Sequence, residues 1–381
     1  MAAPVPDLRL PADLLPSDGR FGAGPSKVRP ASVAALAAAG PTYLGTSHRA
    51  QTVKAMVGRL RSGLSELFRL PAGYEVALGN GGAALFWDMA TFGLIERRSQ
   101  HLAFGQFSAS FAAAAAAAPF LDDPDVIESA PGTHPSPRAN PEVDAYAFTH
   151  NETSTGVAMP LRRPVGAADG SLVLVDATSA AGGMRVDPAE FDAYYFAPQK
   201  CFAADGGLWL ALLSPAAVER VERIKAGGRW TPALLDLGLA VENSRLDQTY
   251  NTPSLATIFL MVEQVEWMLA GGGLGWAASR SEASSAVLYA WAEASDYATP
   301  FVADPGQRSP VVGTIDLADS VDATVVSAVL RANGIVDTES YRRLGRNQLR
   351  IAMYPAVEAS DVAILTRAID HVVAELLTQP S

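Results

Sequence analysis

The chain has 381 residues, 49% hydrophobic and only 18% charged, which excludes a disordered polymer and allows about two domains with cores that need no staples. Its net charge of −11 excludes nucleic-acid binding through the overall field, so an anionic ligand must be met by locally placed Arg or Lys. One cysteine excludes a disulfide framework, a cysteine-rich zinc site and a CxxC redox centre, and the five histidines form no HExxH or clustered metal pattern.

Met1 to Arg20 is rich in Pro and Asp, has no apolar core and is not read as a signal peptide. Phe21-Gly22-Ala23-Gly24-Pro25 reads as a simple turn. From Tyr74 onward a short apolar run repeatedly ends in Gly, Asn, Asp or Thr and gives way to a helical pattern. Tyr74–Leu78 leads through Gly79-Asn80-Gly81-Gly82 into a helix from Ala83 to near Leu94, and His101–Phe104 leads through Gly105 into an Ala-rich helix. The run Ala112–Ala118 in that helix is only weakly apolar, so it predicts a packed helix and no membrane span. Val143–Thr149 ends at His150-Asn151-Glu152-Thr153-Ser154-Thr155-Gly156, and Leu172–Val175 at Asp176. Ala193–Ala197 ends at Pro198-Gln199-Lys200, with Leu208–Leu213 following Gly206-Gly207.

Apolar runs of this length without alternation predict strands buried on both faces, hence an α/β fold with a mostly parallel sheet under helices. In such sheets ligands lie beyond the carboxyl ends of the strands, where these polar groups fall. Pro253–Leu269 predicts a long helix stopped by Gly271-Gly272-Gly273-Leu274-Gly275. A helix over Trp276–Ala294, strands near Val311–Asp316 and Leu349–Met353 and a last helix over Ala359–Leu377 make an α+β segment. We therefore expect a large domain over 18–272 and a smaller one over 273–381, with residues 1–17 packing on the latter.

Several residues carry chemistry. Lys200 is flanked by Pro198, Cys201 and Phe202; desolvation there lowers an amine's pKa and makes it a nucleophile for a carbonyl, the bland alternative being a lysine snorkelling at a strand end. Asp176 could hold a pyridinium nitrogen protonated or simply cap the following turn. The Gly79–Gly82 turn offers N–H groups and a helix dipole to a phosphate, although neither GxGxxG nor GxxxxGK[ST] is present. Asn151-Glu152-Thr153 matches a glycosylation pattern but is better read as ligand contacts at a strand end. Arg342, Arg343, Arg346 and Arg350 bring four guanidiniums together. Arg342 and Arg346 fit a solvated face, whereas Arg350 lies inside an apolar run where an unpaired charge is costly. His48-Arg49 is a smaller cationic pair.

Taken together, Asn151-Glu152-Thr153, Asp176-Ala177-Thr178-Ser179, Pro198-Gln199-Lys200 and Asn251-Thr252-Pro253 resemble the phosphoserine aminotransferases, class V pyridoxal phosphate enzymes. Ala147–Val157, Asp192–Leu213 and Gly334–Met353 look like the actinobacterial branch, and the likeness runs from Phe21 to about Leu377. It implies the fold-type I architecture, with a mostly parallel seven-stranded sheet in the large domain and a smaller C-terminal α+β domain.

The resemblance further implies that Lys200 carries pyridoxal 5'-phosphate covalently and Asp176 pairs with its ring nitrogen. Thr153 would contact the ring oxygen, Phe107 would stack on the ring where many members have Trp, and Gly82, Ala83 and Gln199 would hold the phosphate. Asn251 and Thr252 would reach that phosphate from the neighbouring subunit of a homodimer with composite sites. Arg350 would bind the substrate α-carboxylate and His48 with Arg49 its distal anion, joined by Arg342 and Arg343, the nearest equivalents of a His-Arg pair in many members. Ala83 departs from the family's usual Arg.

The implied reaction moves an amino group between L-glutamate and 3-phosphohydroxypyruvate in cytoplasmic serine biosynthesis, with no metal, membrane or nucleic-acid partner. Many members also transaminate the phosphorylated intermediate of pyridoxal phosphate synthesis. The alternative is another class V enzyme, such as an alanine– or serine–glyoxylate transaminase, which needs no site for a distal phosphate. A cysteine desulfurase is disfavoured because Cys201 adjoins Lys200 and is not on a mobile loop, and a pyridoxal-binding regulator because no DNA-binding segment is visible.

Overall fold

The computed structural model describes residues 6–378. Two helices that the apolar-run reading passes over come first, α1 (Pro30–Tyr43) and α2 (Gln51–Leu67). In α2 the buried residues are Val53, Val57, Leu60, Leu64 and Leu67, spaced three or four apart, so one stripe faces the core. Strand–helix alternation follows: β1 (Glu75–Asn80), α3 (Ala83–Gly93), β2 (Ser99–Ala103), α4 (Gln106–Ala117), β3 (Asp125–Glu128) and β4 (Ala145–Thr149). A small hairpin of β5 (Asn151–Glu152) and β6 (Val157–Ala158) projects beyond β4. The buried strands β7 (Leu172–Asp176), β8 (Ala193–Phe196) and β9 (Leu208–Leu213) complete the set.

These strands form one seven-stranded sheet in the order β1-β9-β8-β7-β4-β2-β3. Pairs from β3 through β8 are parallel, but β9 runs antiparallel to both β8 and β1. The connection from β8 to β9 contains no helix, and without a crossover a chain can only return antiparallel. Residues of one strand alternate between two cores. Val173 and Val175 join one with α2 and α7 (Leu255–Gly271), while Leu172 and Leu174 join another with α3 and α4. Helices α5 (Pro215–Ala226) and α6 (Leu237–Arg245) contribute to the second core, giving a three-layer sandwich.

Helix α7 turns by 92° through Gly272 into α8 (Gly273–Ala294). Beyond it, β10 (Ala298–Pro300), β11 (Val312–Leu317) and β12 (Gln348–Ala352) form an antiparallel sheet, packed with α9 (Ala323–Ala332) and α10 (Ala359–Thr378) around a separate core. We propose to divide 18–272 from 273–381 at this bend. Leu8, Leu10 and Leu14 pack into the C-terminal core, and Ser17 bonds the Asp361 carboxylate. Residues 19–21 also belong to this layer through backbone bonds to Val336 and Ala352. Among the described residues no single helix is long and apolar enough to cross a membrane.

Candidate active site

Strands β4, β7 and β8 end on the same side of the sheet as the N-termini of α3 and α4. There they enclose a cavity of about 470 Å³ lined by Gly82, Ala83, Phe107, Thr153, Asp176, Gln199 and Lys200, among others. Lys200 is buried, and its Nζ donates to the Ala23 carbonyl oxygen. Burial first, and the Arg350 charge second, pull its pKa down to about 8, against the opposing attraction of Asp176. The stretch 21–25, read from sequence as a mere turn, is therefore part of the site. A Cβ on Gly24, whose φ is +146°, would stand 2.5 Å from Lys200 Nζ.

Asp176 ends β7, buried. Its Oδ1 accepts from the Thr178 backbone N–H (3.0 Å) and hydroxyl (2.6 Å), and its Oδ2 from the indole Nε1 of Trp87 (3.0 Å). Burial raises its pKa, while these three bonds and Lys200 pull the other way. Close by, the Asn151 amide and the Thr153 hydroxyl both donate to Ser179 Oγ at 2.8 Å, and Asn151 Oδ1 is buried without a partner.

The anion-binding end is built differently. Gly82 caps α3 with no side chain, Gly82, Ala83 and Ala84 at this helix N-terminus line the cavity, and Gln199 Oε1 is buried without a partner. Phe107 is positioned through Glu152, whose fully buried carboxylate accepts from the backbone N–H groups of Phe107, Ser108 and Ser154 and from both serine hydroxyls. A Cβ on Gly105 would collide with Glu152 at 2.3 Å, so this clamp needs glycine.

A second cavity, about 920 Å³, shares Gly24 and Pro25 with the first and holds Tyr341, Arg342, Arg343 and Arg350. Arg350 donates to the Thr153 carbonyl at 3.4 Å, lies over the Tyr341 ring at 5.3 Å and leaves its buried Nε unpaired. Among the described residues no carboxylate lies within 4.0 Å of it, and burial lowers its pKa. A desolvated guanidinium without a carboxylate partner, beside the cavity that holds a buried amine, has the chemistry to receive a small anion. Arg346 is spoken for, since it grips Asp316 and stacks on Phe301.

His48 and Arg49 are not brought to Arg350. They lie in the connection between α1 and α2, with His48 Nδ1 3.0 Å from the Thr252 hydroxyl, and neither lines either cavity. Asn251 and Thr252 are exposed in the same neighbourhood, where the Asn80 amide donates to the Thr252 carbonyl. Within one chain, then, these four residues form a surface group apart from Lys200. The separation has a simple cause: the α1–α2 connection is tied to the segment before α7. Cys201 is buried, its Sγ against the Ser179 carbonyl, and burial pushes its thiol pKa up, which makes it a poor nucleophile.

Sequence reasoning missed Trp87, Tyr341 and the Ala23 carbonyl. For Trp87 a signal existed, because it lies four residues after Ala83 and so one turn into α3 on the same face.

The class-V aminotransferase family model matches residues 137–364. A phosphoserine aminotransferase of Nocardioides sp. is 63% identical, the match covering 97% of this chain and 99% of the relative. Solved phosphoserine aminotransferases are similar in fold. That of Cytophaga hutchinsonii has a TM-score of 0.85 at 23% identity, covering 93% of this chain and 99% of its own. That of Bacillus circulans has 0.80 at 20%, covering 94% and 99%. At these identities the structures speak for the fold, while the full-length likeness of sequence speaks for the family. By the family model and that likeness of sequence, this chain belongs to the phosphoserine aminotransferases of class V.

Proposed function

We propose that this chain is a cytoplasmic pyridoxal phosphate enzyme that transfers the amino group between L-glutamate and 3-phosphohydroxypyruvate, giving L-phosphoserine and 2-oxoglutarate. The observation that carries the reading is the pairing of a buried amine, Lys200, and a buried carboxylate, Asp176, in one cavity beside an unpaired guanidinium, Arg350. Pyridoxal phosphate fits the donor set: the open N-terminus of α3 and Gln199 for its phosphate, Asp176 for its ring nitrogen and Lys200 for its aldehyde. Bound there, the cofactor supplies an electron sink for a carbanion at the substrate α-carbon.

The chain's own residues do the rest. Lys200 Nζ, its pKa brought down to about 8 so that a useful fraction is uncharged near neutral pH, takes the proton from the substrate Cα as a general base. Arg350 grips the α-carboxylate through its planar fork, which orients the Cα–H bond. Arg342 and Arg343 meet the distal anion, a γ-carboxylate in one half-reaction and a phosphate in the other. Phe107 lines the cavity and would supply an apolar ring face to the bound cofactor, and the Glu152 clamp holds the helix that carries it.

We extend the reading to a homodimer in which His48, Arg49, Asn251 and Thr252 serve the partner's site. The exposure of Arg49, Asn251 and Thr252 supports this, as do the exposed Trp230 and Leu246 and the exposed Tyr250 just before Asn251. A glyoxylate-type transaminase would have no use for Arg342 and Arg343 beside Arg350. The deciding experiment is an amino-donor and acceptor profile of the purified protein, with borohydride reduction to locate the pyridoxyl peptide. We expect phosphoserine and glutamate as donors and the label on Lys200. Turnover with alanine and glyoxylate alone, or the label on another lysine, refutes the reading.

A further inference from the structure

Trp87 belongs to none of the motifs considered above, yet it bonds the buried carboxylate of the site. Its indole N–H reaches Asp176 Oδ2 at 3.0 Å, and both side chains line the cavity that contains Lys200. An ionised carboxylate offers about four acceptor positions, two on each oxygen. The backbone N–H and hydroxyl of Thr178 fill both positions on Oδ1. Trp87 fills one on Oδ2, and one is left.

That arithmetic gives the indole a specific task. A carboxylate anchored by one oxygen can still swing about its Cβ–Cγ bond, a soft torsion. A donor on the second oxygen fixes the plane, and hydrogen bonds to the charged form keep it charged where burial works against it. The groups facing Asp176 are few. Lys200 attracts it, and the buried hydroxyl of Tyr195, its register partner on β8, lies close to both Asp176 and Trp87 without a hydrogen bond of good geometry to either. Among the described residues Trp87 and Thr178 are thus the donors to this carboxylate. Trp87 is half-buried and packs against the core in which the neighbouring Phe86 stacks on Tyr195 at 4.4 Å.

We infer that Trp87 is a positioning residue for amino transfer: its N–H fixes the plane of the Asp176 carboxylate and keeps it ionised, reserving the last acceptor position for the cofactor's ring nitrogen. The inference rests on the proposed cofactor chemistry.

The test removes the N–H in two ways. Trp87→Phe deletes it along with part of the ring, and benzothienylalanine in place of Trp87 deletes it alone, keeping the bicyclic shape. Each protein is loaded with pyridoxal phosphate carrying ¹⁵N in the ring. Both should bind the cofactor about tenfold more weakly, the scale of one hydrogen bond to a charged group, and both should move the ring ¹⁵N signal towards the unprotonated position. If the benzothienyl protein keeps wild-type affinity and a wild-type ring signal, the inference is overturned, whatever Trp87→Phe does. A wild-type protein that binds no pyridoxal phosphate would instead refute the cofactor reading, so the two failures are distinguishable.

Discussion

Lys200 is held by Ala23: the reactive amine donates to a main-chain carbonyl 177 positions upstream in the chain. The contact ties the glycine-rich segment after the N-terminal arm to the end of β8. It also orients the amine where burial and Arg350 have already lowered its proton affinity.

A pH dependence follows. The pKa of Lys200 falls from its ordinary 10.5 to about 8 on folding, so between those values the unfolded chain binds more protons than the folded one. Stability of the cofactor-free protein should therefore rise with pH across that window, and below about pH 8 the charged amine should cost roughly 3 kcal/mol. Urea unfolding of the wild type and Lys200→Met at pH 7 to 10 checks this. The pH-dependent part of the difference between them should be largest at pH 7 and vanish near 10.5.

Asp176→Asn should fold, because the amide oxygen can still accept from Thr178, and should lose most of its turnover, because an amide cannot hold a positive charge on a ring nitrogen. We expect a fall of about 10²–10⁴ in kcat, the range of a lost proton-handling group, with little change in Tm. Near-wild-type kcat would reduce Asp176 to a turn cap.

Arg350→Leu should impair both half-reactions alike, since both substrates carry an α-carboxylate. Losing a charge-assisted contact to a desolvated anion should cost about 2–4 kcal/mol, or roughly 30- to 1000-fold in kcat/KM. Arg343→Leu should harm phosphoserine more than glutamate, and should spare alanine, which has no distal anion. Single-turnover kinetics of each half-reaction, followed through cofactor absorbance, separate the two effects.

The composite dimer can be tested by mixing. Lys200→Ala and a variant such as Asn251→Leu should each be poorly active alone. Co-refolded in equal amounts, half the dimers are mixed, and each mixed dimer has one intact site, so about a quarter of wild-type activity should return. Were Asn251 to act within its own chain, no activity would return on mixing. Arg49→Leu in place of Asn251→Leu makes the same distinction for the distal-anion pair.

Much of the fold is legible in the chain because β4, β7, β8 and β9 are buried along their whole length and so write themselves as unbroken apolar runs. The edge strand β3, half exposed in alternation, leaves no such run, and α1 is hidden by its alanines. Lys200 and Asp176 could be found because a polar residue at the end of a buried strand is a local signal. The partners of Trp87, 89 positions from Asp176, and of Glu152, 45 from Phe107, could not be read, because their roles exist only as contacts, although the helix spacing from Ala83 puts Trp87 on the cavity's face.

What the sequence determined by itself was the periodicity of burial and the places where it breaks: the strands, the glycine-rich turns and the charged groups that end them. Tertiary structure alone decided the reversal of β9, the use of Gly22–Pro25 as a wall of the site, the lack of a carboxylate within 4.0 Å of Arg350 among the described residues and the placing of His48 and Arg49 outside both cavities. The physical reason is the range of the forces involved. Propensity and patterning act over a few residues, whereas desolvation and hydrogen-bond satisfaction depend on which distant segments the packed layers bring together.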